Sequence, residues 1–421
     1  MIELTAVLNR LETTQVDTDA IVFATTHAEL LAGLEAARLG VASKPPVAVL
    51  GGVLLEGVDG QLALTTFDGE VHVRVKVATT TCTDGRLLVD HANLLGALDA
   101  LLTGVTKKKA ANMPVEIWAS APDRPVLVFN GQEMPLKSLR IEDYPTPYPA
   151  LPPVVAQVSR ADWVADVERV LVAAGTDIVL PVLTAVYVEL GEGAMTMTCT
   201  DRFRVATVQT RALLHKVAQP DEPALVPAQT LKDLLKKVKE STENWVLIGR
   251  DSENHVMSFS IGNVTLATFL IDSRFPTWRE LLPTEQHGHV TVDRDALIEQ
   301  VKRASKVMKH LPRATGSVAL FIKPDAAFAR ARAWERDEQV KVPALPATVV
   351  DCEVSELWFN PKYLLEGLNA FTGKTVSIFP SSAPTRPVLF FDAPADFDTT
   401  HAYRYLVMPV RQSATPPTPP S

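Results

Sequence analysis

Val182-Leu183-Thr184-Ala185-Val186-Tyr187-Val188-Glu189 repeats an earlier stretch of the chain, Val49-Leu50-Gly51-Gly52-Val53-Leu54-Leu55-Glu56, at an offset of 133 residues. The match continues without a gap to Asp68 and Asp201. In each copy an apolar run is followed by a turn containing glycine (Gly60 or Gly193) and then by a segment in which apolar and polar residues alternate. Such alternation is typical of β-strands. The two stretches therefore predict two copies of one domain-sized unit.

Helical segments precede and follow each copy. Apolar residues recur at spacings of three and four in residues 27–40 and 160–175, and Ser159 is a candidate N-cap. A further helix follows in each copy, and a fainter third copy contains a similar pair. These helices are predicted to begin after Asp90, Pro227, Asp293 and Asn360. The sequence thus predicts an α+β fold of three repeated domains, each with two helices packed on antiparallel sheets.

Proline-rich stretches at residues 144–154 and 282–289 separate the copies. We therefore expect one domain at residues 1–150, which includes an N-terminal extension of residues 1–18. The other two domains are expected at residues 151–286 and 287–412. Residues 413–421 are rich in proline and are expected to form a disordered tail.

The composition excludes several classes of protein. The 421 residues include 41 Lys+Arg and 49 Asp+Glu, and the formal net charge of -8 read alone argues against a nucleic-acid binder. Three distant cysteines cannot form a disulfide framework or a four-cysteine zinc site. No apolar run approaches the roughly 20 residues of a membrane span, and no secretion signal is evident. We expect a cytoplasmic protein without a membrane partner.

Four short sequence motifs, called phrases below, occur at domain-sized spacings and resemble motifs of one protein family. They are Pro181–Thr184 leading to Thr200–Ala206, Arg274–Pro283, Tyr363–Leu368 followed by Thr385–Pro387, and Tyr403–Arg411. Together they resemble the bacterial DNA sliding clamp, the β subunit of DNA polymerase III. Their residues are most similar to those of actinobacterial clamps. The resemblance covers roughly residues 19 to 412.

The resemblance implies a head-to-tail homodimer, in which six domains form a ring around duplex DNA. Helices would line the hole, sheets would form the outer wall, and DNA would be bound without regard to sequence. Such a clamp is not an enzyme and needs no cofactor or metal. As a processivity factor it would tether the polymerase III α subunit, other polymerases and repair proteins through short linear peptides, after a clamp loader opens the ring.

The resemblance also implies an apolar peptide groove between the second and third domains. Carried over residue by residue, it comprises Leu183, Thr200, Arg202, Phe203, Arg204, Val205, Pro276, Leu281, Leu406, Val407, Met408, Pro409, Val410 and Arg411. Leucine, valine, methionine and proline suit a peptide's apolar anchors, and Arg204 and Arg411 could bond its backbone or carboxylate. The alternative is that Leu183, Val205 and Leu406 are simply strand core.

Two predicted helices have a basic face, and the resemblance places them at the hole. The candidate DNA-binding residues are Lys44, Lys236, Lys237, Lys302, Arg303, Lys306 and Lys309. The alternative is that these residues form ordinary solvated helix faces. The run Lys107–Lys109 is predicted to lie in a loop, either as a second DNA contact or as a solvated segment.

Several positions depart from the family pattern. They are Ala48, Phe203, Trp278, Glu280 and Gln412, together with an apparent insertion at residues 107–113 and divergence across residues 324–346. Phe203 is shared with actinobacterial clamps. These departures support an alternative hypothesis, that the chain is a paralogous clamp whose altered groove serves antibiotic self-resistance or specialised repair synthesis.

No catalytic constellation is visible in the sequence. Gly373-Lys374-Thr375 lacks the first glycine of a phosphate-binding loop, and His287-Gly288-His289 has no carboxylate or cysteine cluster beside it. Cys199 lies in an alternating strand and is interpreted as a core residue, and Asp201 as a turn or ion-pair residue. An unrelated α+β enzyme is therefore the weakest hypothesis.

Overall fold

A computed structural model describes residues 20–145, 151–191, 193–215, 222–282, 288–310, 314–333, 342–381, 386–392 and 403–410. The expected N-terminal extension and the proline-rich tail lie outside these ranges. So do four residues that the sequence singles out, His287, Thr385, Arg411 and Gln412. None of the helices in the described ranges is long and apolar enough to cross a membrane.

Seven α-helices occur in the described ranges. They are α1 (His27–Ala37), α2 (His91–Leu101), α3 (Lys107–Ala110), α4 (Arg160–Leu171), α5 (Ala228–Glu240), α6 (Arg294–Met308) and α7 (Pro361–Ala370). The six helices predicted from the sequence are confirmed. The prediction of a loop at Lys107–Lys109 was wrong, because Thr106 caps a single helical turn there.

Side chains at the N-caps explain why the longer helices begin where they do. Thr26, Asp90, Ser159, Asp293 and Asn360 each accept a hydrogen bond from a backbone N–H in the first turn. The first N–H groups of a helix have no partner within it, so a capping oxygen stabilises the start by about 1 kcal/mol. The N-cap role predicted for Ser159 is confirmed.

The described residues fall into two compact units. The first comprises the chain up to Val154 together with Lys236–Phe269, and the second comprises Val155–Leu235 together with the chain from Leu270 onward. All the strand pairs described below, in either unit, are antiparallel.

The first compact unit contains two sheets with α1 and α2 packed on them. One sheet has the order β5-β1-β7-β8-β9, with β1 (Ile21–Thr26), β5 (Thr81–Cys82), β7 (Pro114–Ala119), β8 (Pro125–Phe129) and β9 (Gln132–Pro135). The other has the order β6-β2-β3-β4-β17-β16-β15. Its strands are β2 (Gly52–Val58), β3 (Gln61–Phe67), β4 (Val71–Val77), β6 (Gly85–Asp90), β15 (Trp245–Asp251), β16 (Val256–Ile261) and β17 (Val264–Phe269).

The second compact unit is built on a continuous run of paired strands. Their order is β14-β11-β12-β13-β25-β24-β23-β18-β21-β20-β19-β22, and β10 pairs with the far end of β13. The strands are β10 (Val154–Ser159), β11 (Ala185–Gly191), β12 (Ala194–Thr200), β13 (Arg204–Leu214), β14 (Ala224–Pro227), β18 (His289–Asp293), β19 (Ala314–Lys323), β20 (Ala326–Ala333), β21 (Leu345–Val350), β22 (Glu356–Phe359), β23 (Thr375–Phe379), β24 (Val388–Asp392) and β25 (Arg404–Val407). Helix α4 packs on β12 and β13, while α6 and α7 pack on each other.

The repeat seen in the sequence is present at atomic detail. Gly60 and Gly193 both have a φ of 75°, a left-handed conformation that glycine adopts without the strain of a side chain. Eight residues later, Asp68 Oδ1 accepts hydrogen bonds from the backbone N–H groups two and three residues ahead, at 2.9 and 2.7 Å. Asp201 Oδ1 does the same at 3.0 and 3.1 Å. The two copies therefore share one strand–turn–strand–turn design.

Candidate functional site

The turn Asp201–Arg204 lies between β12 and β13 and is held by its own side chains. Asp201 bonds the N–H groups of Phe203 and Arg204, while Thr200 Oγ1 accepts from Arg202 N at 3.3 Å and donates to Arg204 O at 2.8 Å. Thr200 is buried, but the side chain of Phe203 is 55% exposed. The turn therefore presents an aromatic ring to solvent from a rigid backbone, and the interpretation of Asp201 as a turn and ion-pair residue is confirmed.

Strand β25 pairs with β13 directly beyond this turn. The register places Arg204 opposite Val407 and Val205 opposite Leu406. The ladder is extended by Met408 N, which donates to Phe203 O at 2.8 Å. The C-terminal phrase of the third repeat is thereby joined to the Asp201 turn of the second repeat, so two of the four phrases named in the sequence meet in space.

A buried apolar cluster forms the floor beneath this pairing. Its members are Val205, Trp278, Phe379, Leu389, Phe391 and Leu406. Trp278 begins the short 3-10 turn Trp278–Leu281 and is only 5% exposed, so this departure from the family pattern is a core residue. Pro276 and Leu281 flank it and are exposed. The phrase Arg274–Pro283 therefore lies at the same site as the phrases that contain Val205 and Leu406.

The candidate groove residues separate by exposure. Leu183, Val205, Leu406 and Val407 are buried. The strand-core alternative holds for Val205 and Leu406, whereas Leu183 is buried in the 3-10 turn Pro181–Thr184. The side chains open to a ligand, fully or in part, are Arg202, Phe203, Pro276, Leu281, Met408, Pro409 and Val410. Arg411 lies outside the described residues. An incoming peptide would thus meet a partly apolar surface supported by the buried cluster.

Arg204 is committed to partners within the protein. Its guanidinium is 6% exposed and bonds Asp201 at 2.8 Å and Glu366 of α7. It also lies over the Tyr363 ring, 4.4 Å from the centroid. Burial by itself lowers the pKa of Arg204, but contacts with Tyr405, Glu366 and Asp201 outweigh it and raise the pKa above the ordinary value. The guanidinium N–H groups of Arg204 therefore bond Asp201 and Glu366. The sequence had suggested instead that they bond the backbone or a carboxylate of a bound peptide.

Tyr363 and Glu366 are site residues that sequence reasoning missed. They lie three residues apart on α7, hence on one helix face, and both contact Arg204. Phe203 stacks near Tyr363 with ring centroids 6.1 Å apart. The available signal was the phrase Tyr363–Glu366 itself, which carried the resemblance without being placed in the groove.

Leu183 belongs to a loop whose ends are tied together. Its carbonyl accepts from Gly175 N at 2.7 Å, and its N–H donates to Leu180 O at 2.9 Å. At the tip of this loop, Ile178 and Val179 are 85% and 80% exposed, which sequence reasoning also missed.

The candidate DNA-binding residues lie on exposed surface. On α6, Lys302, Arg303, Lys306 and Lys309 are exposed, while Leu297, Val301 and Ala304 on the opposite face are buried. On α5, Lys236 is exposed and Lys237 is half-buried, opposite the buried Leu231, Leu234, Leu235 and Val238. Lys44 is exposed in the loop after α1. These helices have the basic and apolar faces that the sequence predicted.

Acidic neighbours neutralise part of this charge. Lys302 lies 3.6 Å from Glu299, and Lys237 lies 2.9 Å from Glu240. Exposed pairs such as Lys302–Glu299 contribute little energy and are easily exchanged for another anion. A weak and exchangeable basic surface is suited to phosphate contacts that must break and re-form.

The described residues show no metal-binding cluster. Among them, no group of three or more histidine, cysteine or acidic side chains could hold a metal ion. Cys199 is completely buried, and burial raises the pKa of its thiol, so it is the core residue that the strand pattern indicated.

Comparison with known proteins matches one family in three consecutive segments of the chain. Models of the DNA polymerase III β subunit match at residues 21–148 (N-terminal domain), 157–277 (central domain) and 279–411 (C-terminal domain). The β sliding clamp of Streptomyces coelicolor is 31% identical over 375 residues, covering 88% of this chain and 94% of that protein. The β sliding clamp homologue GriR of Streptomyces muensis is 27% identical over 372 residues, covering 88% of this chain and 94% of that protein.

Solved structures share the fold. The Pseudomonas aeruginosa sliding clamp bound to griselimycin aligns with a TM-score of 0.78 and 21% identity, over 93% of this chain and 100% of that one. The Bacillus subtilis clamp aligns with a TM-score of 0.78 and 19% identity, over 94% of this chain and 100% of that one.

Proposed function

Because the chain belongs to the bacterial DNA polymerase III β subunits, the β sliding clamps, we propose that two copies join head to tail in a ring around duplex DNA. The observation that carries this proposal is the match of the three domains of the family, in order, along one chain. In this arrangement residues 1–150, 151–286 and 287–412 are the three domains of each protomer. The ring tethers a polymerase by topology, and it does so without catalysis or a cofactor.

The DNA contacts of this ring are the exposed basic side chains of α5 and α6 together with Lys44. They are few, and two of them, Lys237 and Lys302, have acidic neighbours, so binding is weak, independent of sequence and sensitive to salt. The net charge of -8 is compatible with this, because only the inner helices meet the phosphates. A ring that holds DNA loosely is free to slide.

The partner site is the surface around Phe203, Leu281, Met408 and Val410. Support comes from exposed apolar side chains on a rigid pairing of β13 with β25, above a buried cluster. A short linear peptide with apolar anchors fits such a surface. We assign it the polymerase III α subunit, the clamp loader, other polymerases and repair proteins as partners, all in the cytoplasm.

Light scattering after gel filtration tests the ring. The expected mass is twice that of the 45.8 kDa chain. A monomer that persists at micromolar concentration would contradict the ring but would not affect the proposal of a peptide site. That site is tested separately by fluorescence anisotropy, with a peptide that carries adjacent leucine and phenylalanine anchors.

A second candidate function is a paralogous clamp with an altered groove, for antibiotic self-resistance or specialised repair synthesis. Its support is that a clamp homologue, GriR of Streptomyces muensis, is among the relatives at 27% identity. The clamp of Streptomyces coelicolor is more similar, at 31% identity. Griselimycin binds the clamp of Pseudomonas aeruginosa, so a clamp can be the target of a small molecule. Affinity of this chain for griselimycin equal to that of an ordinary clamp would remove the self-resistance reading.

A further inference from the structure

Three consecutive lysines, Lys107, Lys108 and Lys109, form most of the one-turn helix α3 and are all exposed. They belong to none of the basic helix faces considered above. Ala110, the next residue, is completely buried. The turn therefore has one side fixed in the core, and it directs its lysines to solvent.

The segment is anchored by more than this alanine. Thr106 caps the turn, and its Oγ1 accepts from Lys109 N at 3.4 Å. The carbonyl oxygens of Ala111 and Met113 each accept a hydrogen bond, at 3.0 Å, from Ala28 and His27. These are N–H groups in the first turn of α1, which have no partner within their helix. The segment Thr106–Met113, called the platform below, therefore holds the lysines against the start of α1.

This platform lies at the start of α1, where the two hydrogen bonds described above fix it. The beginning of α2 lies nearer the other end of α1, since His91 Nε2 is 2.9 Å from Leu34 O. Helix α1 has 11 residues and is about 16 Å long at 1.5 Å per residue. Lys44 follows its last turn in the chain, and the helix itself carries Glu29 and Glu35.

The charges of this platform have no anion within the described part of the chain. Neither Glu29 and Glu35 on α1 nor Asp99 on α2 forms an ion pair with Lys107–Lys109 there. Three adjacent like charges repel one another, and the repulsion is relieved when a polyanion replaces their counterions. A duplex, with one negative charge per roughly 1.7 Å of axis, supplies such a polyanion.

We propose that Lys107–Lys109 contact the phosphate backbone of duplex DNA at the start of α1. This inference rests on the proposed function, because it takes α1 and α2 to face the DNA inside a ring. This would be an electrostatic contact with DNA from the first repeat, whose helices α1 and α2 lack the basic faces of α5 and α6. It reads no bases, since a lysine on phosphate carries no sequence information.

The test compares salt dependence of binding in two variants of equal charge. One is Lys107→Gln, Lys108→Gln, Lys109→Gln, which removes the three charges and keeps a similar helix propensity. The matched control is Lys76→Gln, Arg124→Gln, Arg140→Gln, which removes three exposed cations from strands and loops of the same compact unit. Anisotropy of a fluorescein-labelled linear duplex gives the slope of log affinity against log salt, and thermal melting verifies that both variants fold.

The slope of the lysine variant is expected to fall in magnitude by about 0.9 for each phosphate that the protein no longer neutralises, while the control keeps the wild-type slope. Equal slopes for the wild type and the lysine variant would overturn the inference and leave the clamp proposal standing. A wild type that binds no linear duplex even at low salt would also overturn the inference, whereas failure of the clamp proposal would appear as a lack of retention on circular DNA after loading. If only binding of an acidic peptide changed, the platform would be a protein contact and the inference would be wrong.

Discussion

The guanidinium of Arg204 lies 4.4 Å from the ring centroid of Tyr363, and it pairs with Glu366 one helical turn further along α7. Arg204 belongs to the second repeat, whereas Tyr363 and Glu366 belong to the third. The contact therefore joins the two repeats that form the candidate groove. Phe203 and Arg202, one and two residues earlier, are the side chains left for a partner.

Arg204→Met is expected to destabilise the protein. The substitution leaves Asp201 and Glu366 without their shared cation, and removal of one partner from a buried ion pair costs about 3–5 kcal/mol. The lower end is expected, because the side chain of Glu366 is 36% exposed and water screens it. The measurement is the free energy of unfolding in urea, with Arg202→Met as the exposed control. Equal losses of stability in the two variants would contradict the structural role of Arg204.

Arg202→Gly is expected to stabilise the protein. Arg202 has a φ of 78°, and the corresponding residue of the first repeat, Gly69, has a φ of 108°. A left-handed conformation costs a side-chain-bearing residue about 1–2 kcal/mol, and greater freedom of glycine in the unfolded chain offsets about 0.4–1 kcal/mol. A net gain of about 0.5 kcal/mol should follow. Arg211→Gly, in the ladder of β12 and β13, should instead lose stability, and the same sign for both would refute the strain argument.

Stability should fall as the pH drops below the ordinary histidine value of 6.5. Burial lowers the pKa of His91, whose Nε2 bonds Leu34 O, so the folded protein keeps this ring neutral while the unfolded chain binds a proton. More protons on the unfolded state mean that acid favours unfolding. His91→Gln should weaken this dependence, and the exposed His310→Gln should not. Unfolding free energies across this pH range are the measurement, and parallel curves for the wild type and His91→Gln would exclude the mechanism.

Much of the architecture could be predicted from local pattern. The offset repeat predicted equivalent turns, and the φ of 75° at both Gly60 and Gly193 bears this out. Helix spacing identified six helices, because burial of one face imposes a period on the sequence. Thr106 was a readable cap before Lys107, but a single turn has too few residues to show a period.

The candidate site was less predictable, because its key contacts join distant residues. Arg204 and Glu366 are 162 residues apart, so no spacing rule connects them. The resemblance placed Arg204 in the groove, but only the fold shows that its charge is already paired. Burial of Trp278 was hidden for a related reason, since a proline-flanked segment has no regular alternation of core and surface positions.

Peptide binding and DNA binding should be separable by mutation. Phe203→Ser removes an exposed aromatic anchor, and truncation of such an anchor costs about 2 kcal/mol, or roughly 30-fold in peptide affinity. Lys302→Glu with Lys306→Glu should slow loading onto DNA and leave peptide affinity unchanged. Anisotropy with the anchor peptide and a loading assay on nicked circular DNA measure the two activities. Loss of the same activity in both variants would show that the sites are not distinct.

Retention on DNA tests the ring most directly. The protein is loaded onto a nicked circular duplex by a clamp loader and separated from free protein by gel filtration, and the circle is then cut once with a restriction enzyme. A ring held by topology remains on the circle in moderate salt and dissociates when the DNA becomes linear. Equal retention on circular and linear DNA, or none on either, would contradict the proposal that this chain encircles duplex DNA.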